Sequence, residues 1–268
     1  MSIIEAIRKR ESVRTYTDER LTQEQADEIE RFIRETEAPF GIEVRIKLIH
    51  AEAGEKPVKL GTYGFISGAT NYIILIYKET PFAEVGSAYL FEQVILFCTS
   101  MGLGTCWLGG SFSRGDFKKH AGLQTGEKLR IVSPVGFSSD KRRFLDTLVK
   151  PKKQIKNPRR PFNTLFYYKD FSTPLEEDMA GDYFLPLEMV RLGPSASNKQ
   201  SWRVVVDYEK LHFYKAFSNN GFSDIDLGIA LCHFEQSCIE LGIKGRFEVL
   251  DNAPANKSAQ YTISWLSE

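Results

Sequence analysis

The sequence is poor in metal-binding residues and carries no excess charge of either sign. Its 268 residues include four Cys and four His, and 35 Lys plus Arg balance 35 Asp plus Glu. Neither cysteine nor histidine recurs at metal-ligand spacing, so we predict no metal site. A net charge of zero creates no field that attracts nucleic acid or an anionic membrane, so we expect neither as a partner.

Long apolar runs are also missing. Residues 1–8 mix acid and base with isoleucine, which argues against a signal-peptide core. No later run reaches the roughly 20 residues that a membrane helix needs, so we expect a cytoplasmic protein. The cysteines lie within apolar segments, which predicts packed, reduced thiols. They are Cys98, Cys106, Cys232 and Cys238.

Apolar periodicity predicts alternating helices and strands. In residues 71–77 the apolar run is nearly continuous, which is typical of a central strand covered on both faces. Thr22 with Gln25 forms a capping-box pattern at the start of a helix. The other predicted helices cover residues 2–9, 83–101, 185–192 and 224–241, and the other strands cover residues 44–49, 129–137, 202–206 and 211–214, with a final pair between 247 and 265.

A segment rich in Lys, Arg and Pro, residues 150–161, reads as a linker or wrapping arm. It predicts two parts, residues 1–150 and 151–268. The parts resemble one another: a shift of 140 positions, 241 minus 101, aligns the ends of the two long helices and also aligns Cys98 with Cys238. We therefore predict a fused, diverged duplication.

Two polar stretches could form a binding site. Arg10, Ser12 and Arg14 alternate after the first helix, and an extended backbone would direct all three side chains to one side, where they could bind phosphate or a planar carbonyl. The alternative is a solvated charge cluster at a helix end.

The second stretch, residues 193–202, lies between an apolar helix and an apolar strand. It could present backbone and side-chain donors to a ligand. Alternatively, its polar residues only cap the local backbone. These polar residues are Ser195, Ser197, Asn198 and Gln200.

These stretches resemble motifs of the FMN-dependent nitroreductase family, particularly single-chain members with two fused halves. Residues 10–16 match its RxSxR-aromatic start, residues 193–202 its PSxxNxQPW turn, and residues 102–110 its GLGxxWxGG turn. Residues 141–143 stand where the family has a basic phosphate-binding segment. The resemblance implies an α+β, nitroreductase-like fold, a pseudo-dimer with mostly antiparallel sheets flanked by helices.

In that family the flavin lies at a dimer interface, where one subunit supplies the start motif, the glycine turn and the basic segment, and the other supplies the PSxxNxQ turn. This sequence has each motif once. Residues 38–41 lead directly into a strand, and residues 159–162 do not match the start motif. The resemblance therefore implies one FMN per chain and a functional monomer.

By position, the resemblance assigns Arg10 and Ser12 to the ribityl phosphate and pyrimidine edge. Arg14 would lie by the pyrimidine carbonyl and tune the flavin potential, with no obligatory catalytic side chain. Lys141 and Arg143 would neutralise phosphate charge. The remaining cofactor-binding residues implied are Glu11, Gly109, Gly110, Pro194, Ser195, Ala196 and Asn198.

Two positions depart from the family pattern. Ser201 replaces a common Pro, and Gly109 stands where several relatives have Glu. Three aromatic residues could line the substrate side or simply pack into the structure. They are Tyr63, Tyr167 and Tyr168.

The resemblance implies an oxidoreductase in which NADH or NADPH reduces bound FMN, which then reduces a small electron-poor acceptor such as a nitroaromatic or quinone. An alternative from another class is an FMN-binding sensor or carrier without productive turnover. A structural interaction protein would require the motifs to be coincidental.

Overall fold

The computed structural model describes residues 1–51, 56, 58–139, 158–217 and 221–268. The chain forms two compact units. The first contains Met1 and Lys9–Lys156, and the second contains Ser2–Arg8 and Asn157–Glu268. The boundary predicted after residue 150 lies outside the described residues.

The first unit contains an antiparallel sheet of four strands in the order β1-β2-β4-β3. Strand β2 lies between β1 and β4, and six of its seven residues are buried, which confirms the predicted central strand. The strands are β1 (Val44–Ile49), β2 (Tyr72–Lys78), β3 (Gly104–Thr105) and β4 (Glu127–Gly136).

The described residues of this unit form three α-helices: α2 (Gln23–Glu35), α3 (Ala83–Ser100) and α4 (Arg114–Ala121). The predicted capping box is confirmed at α2, where the Gln25 N–H donates to Thr22 Oγ1 over 3.2 Å and the Thr22 N–H donates to Gln25 Oε1 over 3.0 Å. Helix α4 was not expected, because it buries only Phe117 and Ala121 and so carries little helical periodicity.

The second unit has a five-stranded sheet in the order β5-β6-β7-β9-β8, in which only β5 and β6 pair in parallel among the described strands. Helix α1 begins this unit in sequence, and Glu240 Oε2 accepts from the Ile3 N–H over 2.6 Å at its first turn. The elements are α1 (Ile3–Lys9), β5 (Phe166–Tyr168), α5 (Phe184–Leu192), β6 (Trp202–Asp207), β7 (Lys210–Ala216), α6 (Ser223–Leu241), β8 (Gly245–Glu248) and β9 (Ala259–Ser267).

Both long helices end at a left-handed glycine, as their sequences predict. Gly102 follows α3 with φ 80°, and Gly242 follows α6 with φ 73°. All four cysteines are buried free thiols, which confirms their predicted state. Helices pack against each sheet, and the α+β class is confirmed. Within the described residues, no helix has both the length and the apolarity to cross a membrane.

The segment after α1 is extended and lies along β3. Ser12 forms a parallel bridge with Thr105, and the Val13 N–H donates to Thr105 O over 2.9 Å. Further along, Tyr16 pairs with Ser138 beyond the end of β4. We call residues 10–14 the elbow and residues 102–110 the glycine turn. The backbone pairing places these two predicted motifs side by side in the first unit.

Gly104 allows this close pairing. A Cβ at that position would lie 2.6 Å from Val13 Cγ2 and 2.9 Å from Val13 Cβ. Real Cβ atoms do not approach other carbons so closely, so a side chain at 104 would displace the elbow.

We expect Gly104→Ala to lower the free energy of unfolding by about 1–3 kcal/mol, because the new methyl overpacks against Val13. Adding Val13→Ala should restore part of the loss by removing both Cγ atoms. Urea unfolding of the full chain measures both effects. Gly110→Ala is the control, since nothing lies within 4 Å of a Cβ there. Equal stability of the two single variants would refute tight packing at 104.

Candidate functional site

The elbow brings its three predicted side chains to the glycine turn. Burial raises the pKa of the Cys106 thiol, while the Arg14 and Arg10 cations and the Ser12 hydroxyl act in the opposite direction. Arg10, Ser12 and Arg14 are therefore all near enough to the Cys106 thiol to influence its pKa. The first unit therefore brings together two polar segments that lie about 90 positions apart in sequence.

Arg10 has an unusual environment for a cation. Its Nε and Nη1 atoms are buried and have no hydrogen-bond partner among the described residues. Buried charged donors are nearly always paired, because leaving one unpaired costs its full desolvation energy. The described part of the chain thus leaves two donors for an anionic or strongly polar group. Glu11, the next residue, is exposed.

The glycine turn is held by the helix and strand on either side of it. Trp107 Nε1 donates to the buried carboxylate of Glu92 on α3 over 2.7 Å. Leu108 and Val132 of β4 exchange backbone hydrogen bonds of 2.9 and 3.0 Å. Gly110 is exposed, and no atom lies within 4 Å of where its Cβ would be. A rigid turn with an open end could accept a planar ligand at close range.

The predicted basic segment and the three predicted tyrosines differ in their surroundings. Lys141 and Arg143 lie outside the described residues. Tyr63 is 70% exposed, in a left-handed conformation with φ 47°. Tyr167 packs against a buried cluster of the second unit and donates to Thr164 O over 3.2 Å. Tyr168 lies under the Lys169 ammonium, 5.2 Å from the ring centre.

The second polar stretch forms a strained turn between α5 and β6. Ser197, Asn198 and Gln200 have φ values of 52°, 55° and 51°. Each left-handed residue without glycine's freedom costs about 1 kcal/mol or more. The Gln200 N–H donates to Ser195 Oγ over 2.8 Å, so the Ser195 side chain caps the backbone of the turn. We call residues 194–200 the polar turn.

The side chains of the polar turn are bonded to the segment that precedes β5. Arg159 Nη1 donates to Asn198 Oδ1 over 2.8 Å, and its Nη2 donates to Leu192 O over 2.7 Å. Asn198 Nδ2 donates to Pro158 O over 3.1 Å, while Gln200 Oε1 accepts from the Arg160 N–H over 2.8 Å. The strained backbone is therefore stabilised from outside the turn.

A buried carboxylate supports the polar turn from α6. Asp226 Oδ1 accepts from the Ala196 N–H over 2.7 Å, and the residue is 1% exposed. Burial raises the pKa of Asp226 to about 7, against the Ala196 amide and the Ser201 hydroxyl, which lower it. Near neutral pH this carboxyl is therefore partly protonated.

Neither Arg159 nor Asp226 was predicted as a site residue. Asp226 carries a readable signal, since it is an acid between Ile225 and Leu227 in an otherwise apolar helix. Arg159 carries none, because it is one cation in a segment rich in them. Of the predicted residues in this unit, Pro194 is buried, and Ser195, Ala196 and Asn198 are partly exposed.

The described fold, with two mostly antiparallel sheets and a pairing of elbow and glycine turn, is that of the nitroreductases. The model of the family described as "Putative TM nitroreductase" matches residues 2–238. The chain belongs to this nitroreductase family.

The chain is also similar to solved structures. A "putative nitroreductase" from Thermotoga maritima is similar over 99% of this chain and 94% of its own, with 21% identity and a TM-score of 0.63. A nitroreductase with bound FMN from Bacteroides fragilis has 17% identity and a TM-score of 0.42, covering 58% of this chain and 95% of its own. The first similarity supports the fold. No curated protein sequence matches the chain.

We expect Asp226→Asn to change how stability depends on pH. The folded state raises the pKa of Asp226 from 3.8 to about 7, so it binds the proton more tightly than the unfolded state does. Asp226 therefore adds most to the free energy of unfolding at low pH, and its contribution declines as the pH rises from about 4 to about 7. Asparagine keeps an oxygen for the Ala196 N–H without the charge. Relative to wild type, the variant should gain at most about 4 kcal/mol between about pH 4 and pH 8.

Urea unfolding at the two pH values measures this gain. Asp251→Asn is the matched control, because Asp251 is an exposed residue of the same unit. A difference between wild type and Asp226→Asn that is the same at both pH values would contradict the buried, proton-binding carboxyl.

Proposed function

We propose that the protein is an FMN-dependent oxidoreductase that passes electrons from NADH or NADPH to a small electron-poor acceptor, such as a nitroaromatic or a quinone. The observation that carries this proposal is the pair of buried Arg10 donors without a partner among the described residues, in the elbow of a nitroreductase-family chain. Two similar solved structures, both nitroreductases, are described as FMN-dependent or with bound FMN, which is consistent with the same cofactor here.

The elbow suits a phosphate ester chemically. A guanidinium presents several N–H donors in a fixed plane and pairs well with phosphate oxygens, so Arg10 would gain the partners that it lacks within the described chain. The Ser12 hydroxyl can donate to the same group or to the pyrimidine edge. Lys141 and Arg143 would add positive charge that neutralises the phosphate, and we also assign Glu11 of the elbow to the cofactor.

Bound FMN would supply hydride-transfer chemistry, and the residues of the chain would hold and tune it. We propose that Arg14 lies beside the pyrimidine carbonyl, where its cation favours the negative charge that reduction adds. Gly109 and Gly110 would let the backbone approach the ring edge. We propose no obligatory catalytic residue, because no side chain of the elbow needs to transfer a proton.

We further propose that Pro194, Ser195, Ala196 and Asn198 contact the same cofactor. This assignment is supported by the family's PSxxNxQ motif, which occurs once in the chain. Because one chain then carries both halves of the motif set, the protein should act as a monomer with one FMN.

Purified protein should be yellow and contain one FMN per chain, and light scattering should give the mass of a monomer.

Arg10→Gln should weaken FMN binding about tenfold or more, because a charged hydrogen-bond donor to phosphate is lost. Titration of flavin-free protein measures the affinity. Arg34→Gln is the control, since Arg34 lies exposed on α2 in an ion pair with Glu30 at 3.8 Å. If flavin-free wild-type protein gains no visible absorbance after incubation with FMN, the proposed function is refuted.

If FMN binds but neither NADH nor NADPH bleaches it without oxygen, the sensor or carrier function replaces the oxidoreductase. That outcome leaves the cofactor site intact and changes only the activity.

Arg14→Ala should make the midpoint potential of bound FMN more negative by about 30 mV or more, since removing about 1.4 kcal/mol from a two-electron couple gives that shift. Spectroelectrochemical titration of the loaded protein measures it, again with Arg34→Gln as the reference. An unchanged potential would remove Arg14 from the vicinity of the flavin.

A further inference from the structure

Residues 158–160 form three hydrogen bonds with side chains of the polar turn and one with Leu192 O at the end of α5. Arg159 binds Asn198 Oδ1 and Leu192 O through separate nitrogens, at 2.8 and 2.7 Å. The neighbouring Pro158 carbonyl accepts from Asn198 Nδ2 over 3.1 Å, and the Arg160 N–H donates to Gln200 Oε1 over 2.8 Å. These contacts lie within one unit and connect the end of α5 to the most strained part of the turn.

The contacts determine which way the Asn198 amide faces. A guanidinium can only donate hydrogen bonds, and a proline carbonyl can only accept them. The amide oxygen must therefore face Arg159, and the amide nitrogen must face Pro158. An NH2 group has two donors, of which Pro158 takes one. Asn198 is partly exposed, so its other N–H can reach a bound molecule.

Arginine suits this position better than lysine would. Its two terminal nitrogens bind two acceptors at once, a carbonyl at the last residue of α5 and a side-chain oxygen six positions later. An ammonium on a flexible stem could satisfy one of these acceptors well and would hold the other poorly. The Leu192 carbonyl belongs to a helix end, where a cation is further favoured by the helix dipole.

We propose that Arg159 is a positioning residue for the cofactor, holding the Asn198 amide so that its remaining N–H donates to an oxygen of FMN. This rests on the proposed function and adds to it a residue outside the family motifs. Arg159 acts through Asn198. The polar turn without this brace would lose the fixed amide orientation while keeping its Asp226 contact at Ala196.

The test compares FMN dissociation constants of flavin-free wild type, Arg159→Gln and Arg159→Lys. We expect glutamine to weaken binding about tenfold or more, and lysine to restore part of the loss through one of the two contacts. Arg246→Gln is the matched control, because Arg246 forms exposed ion pairs with Glu248 and Glu268 in the same unit. The control should bind FMN as wild type does.

A double-variant cycle separates positioning from general stability. If Arg159 acts through Asn198, Arg159→Gln should add nothing to Asn198→Ala, so the double variant should bind FMN as Asn198→Ala does. Asn198→Asp keeps an acceptor for Arg159 but loses the donor, so it should weaken binding even at unchanged thermal stability. Fully additive losses, or wild-type affinity in both Arg159 variants, would overturn the proposal.

Refutation of the positioning role of Arg159 can be distinguished from refutation of the proposed function. Wild-type protein that binds FMN while the Arg159 variants bind it equally well overturns only the positioning role. Wild-type protein that does not bind FMN overturns both. If Arg159→Gln fails to fold, Arg159→Lys still decides the outcome, because wild-type affinity in that variant would overturn the positioning role.

Discussion

The pairing of Val13 with Thr105 is the constraint on which the first unit's site depends. This backbone bond aligns the elbow along β3 and requires glycine at 104, since any side chain there would collide with Val13. It brings Arg10 and Arg14 to the glycine turn, close enough to influence the Cys106 thiol. Backbone hydrogen bonds therefore fix the positions of both cations beside the glycine turn. Side-chain substitutions elsewhere leave this backbone pairing in place.

The second unit prepares its polar turn in a different way. Where Arg10 keeps buried donors without partners among the described residues, Asn198 has part of its hydrogen-bonding capacity already used by Arg159 and Pro158. Internal bonds offset the cost of a left-handed backbone and leave one oriented donor. With Asp226 Oδ1 accepting from the Ala196 N–H, hydrogen bonds hold the turn at both its start and its end.

Much of the fold follows from local patterns. The central strand β2, the capping box at Thr22 and the two glycine stops could be predicted because each depends on residues close in sequence. Helix α4 could not, since its two buried residues leave no apolar stripe to detect. The duplication of the two parts stays a prediction, as does the convergence of both motifs on one cofactor.

The sequence by itself determined the family motifs, the buried thiols and most elements, because composition and short-range periodicity encode them. Only the tertiary structure decided that two buried Arg10 donors lack partners among the described residues, that Arg159 binds a side chain 39 positions away, and that Asp226 supports a backbone amide 30 positions away. The reason is physical: a hydrogen bond between distant residues depends on where folding places them, and burial alters the charge of a carboxyl that looks ordinary in sequence.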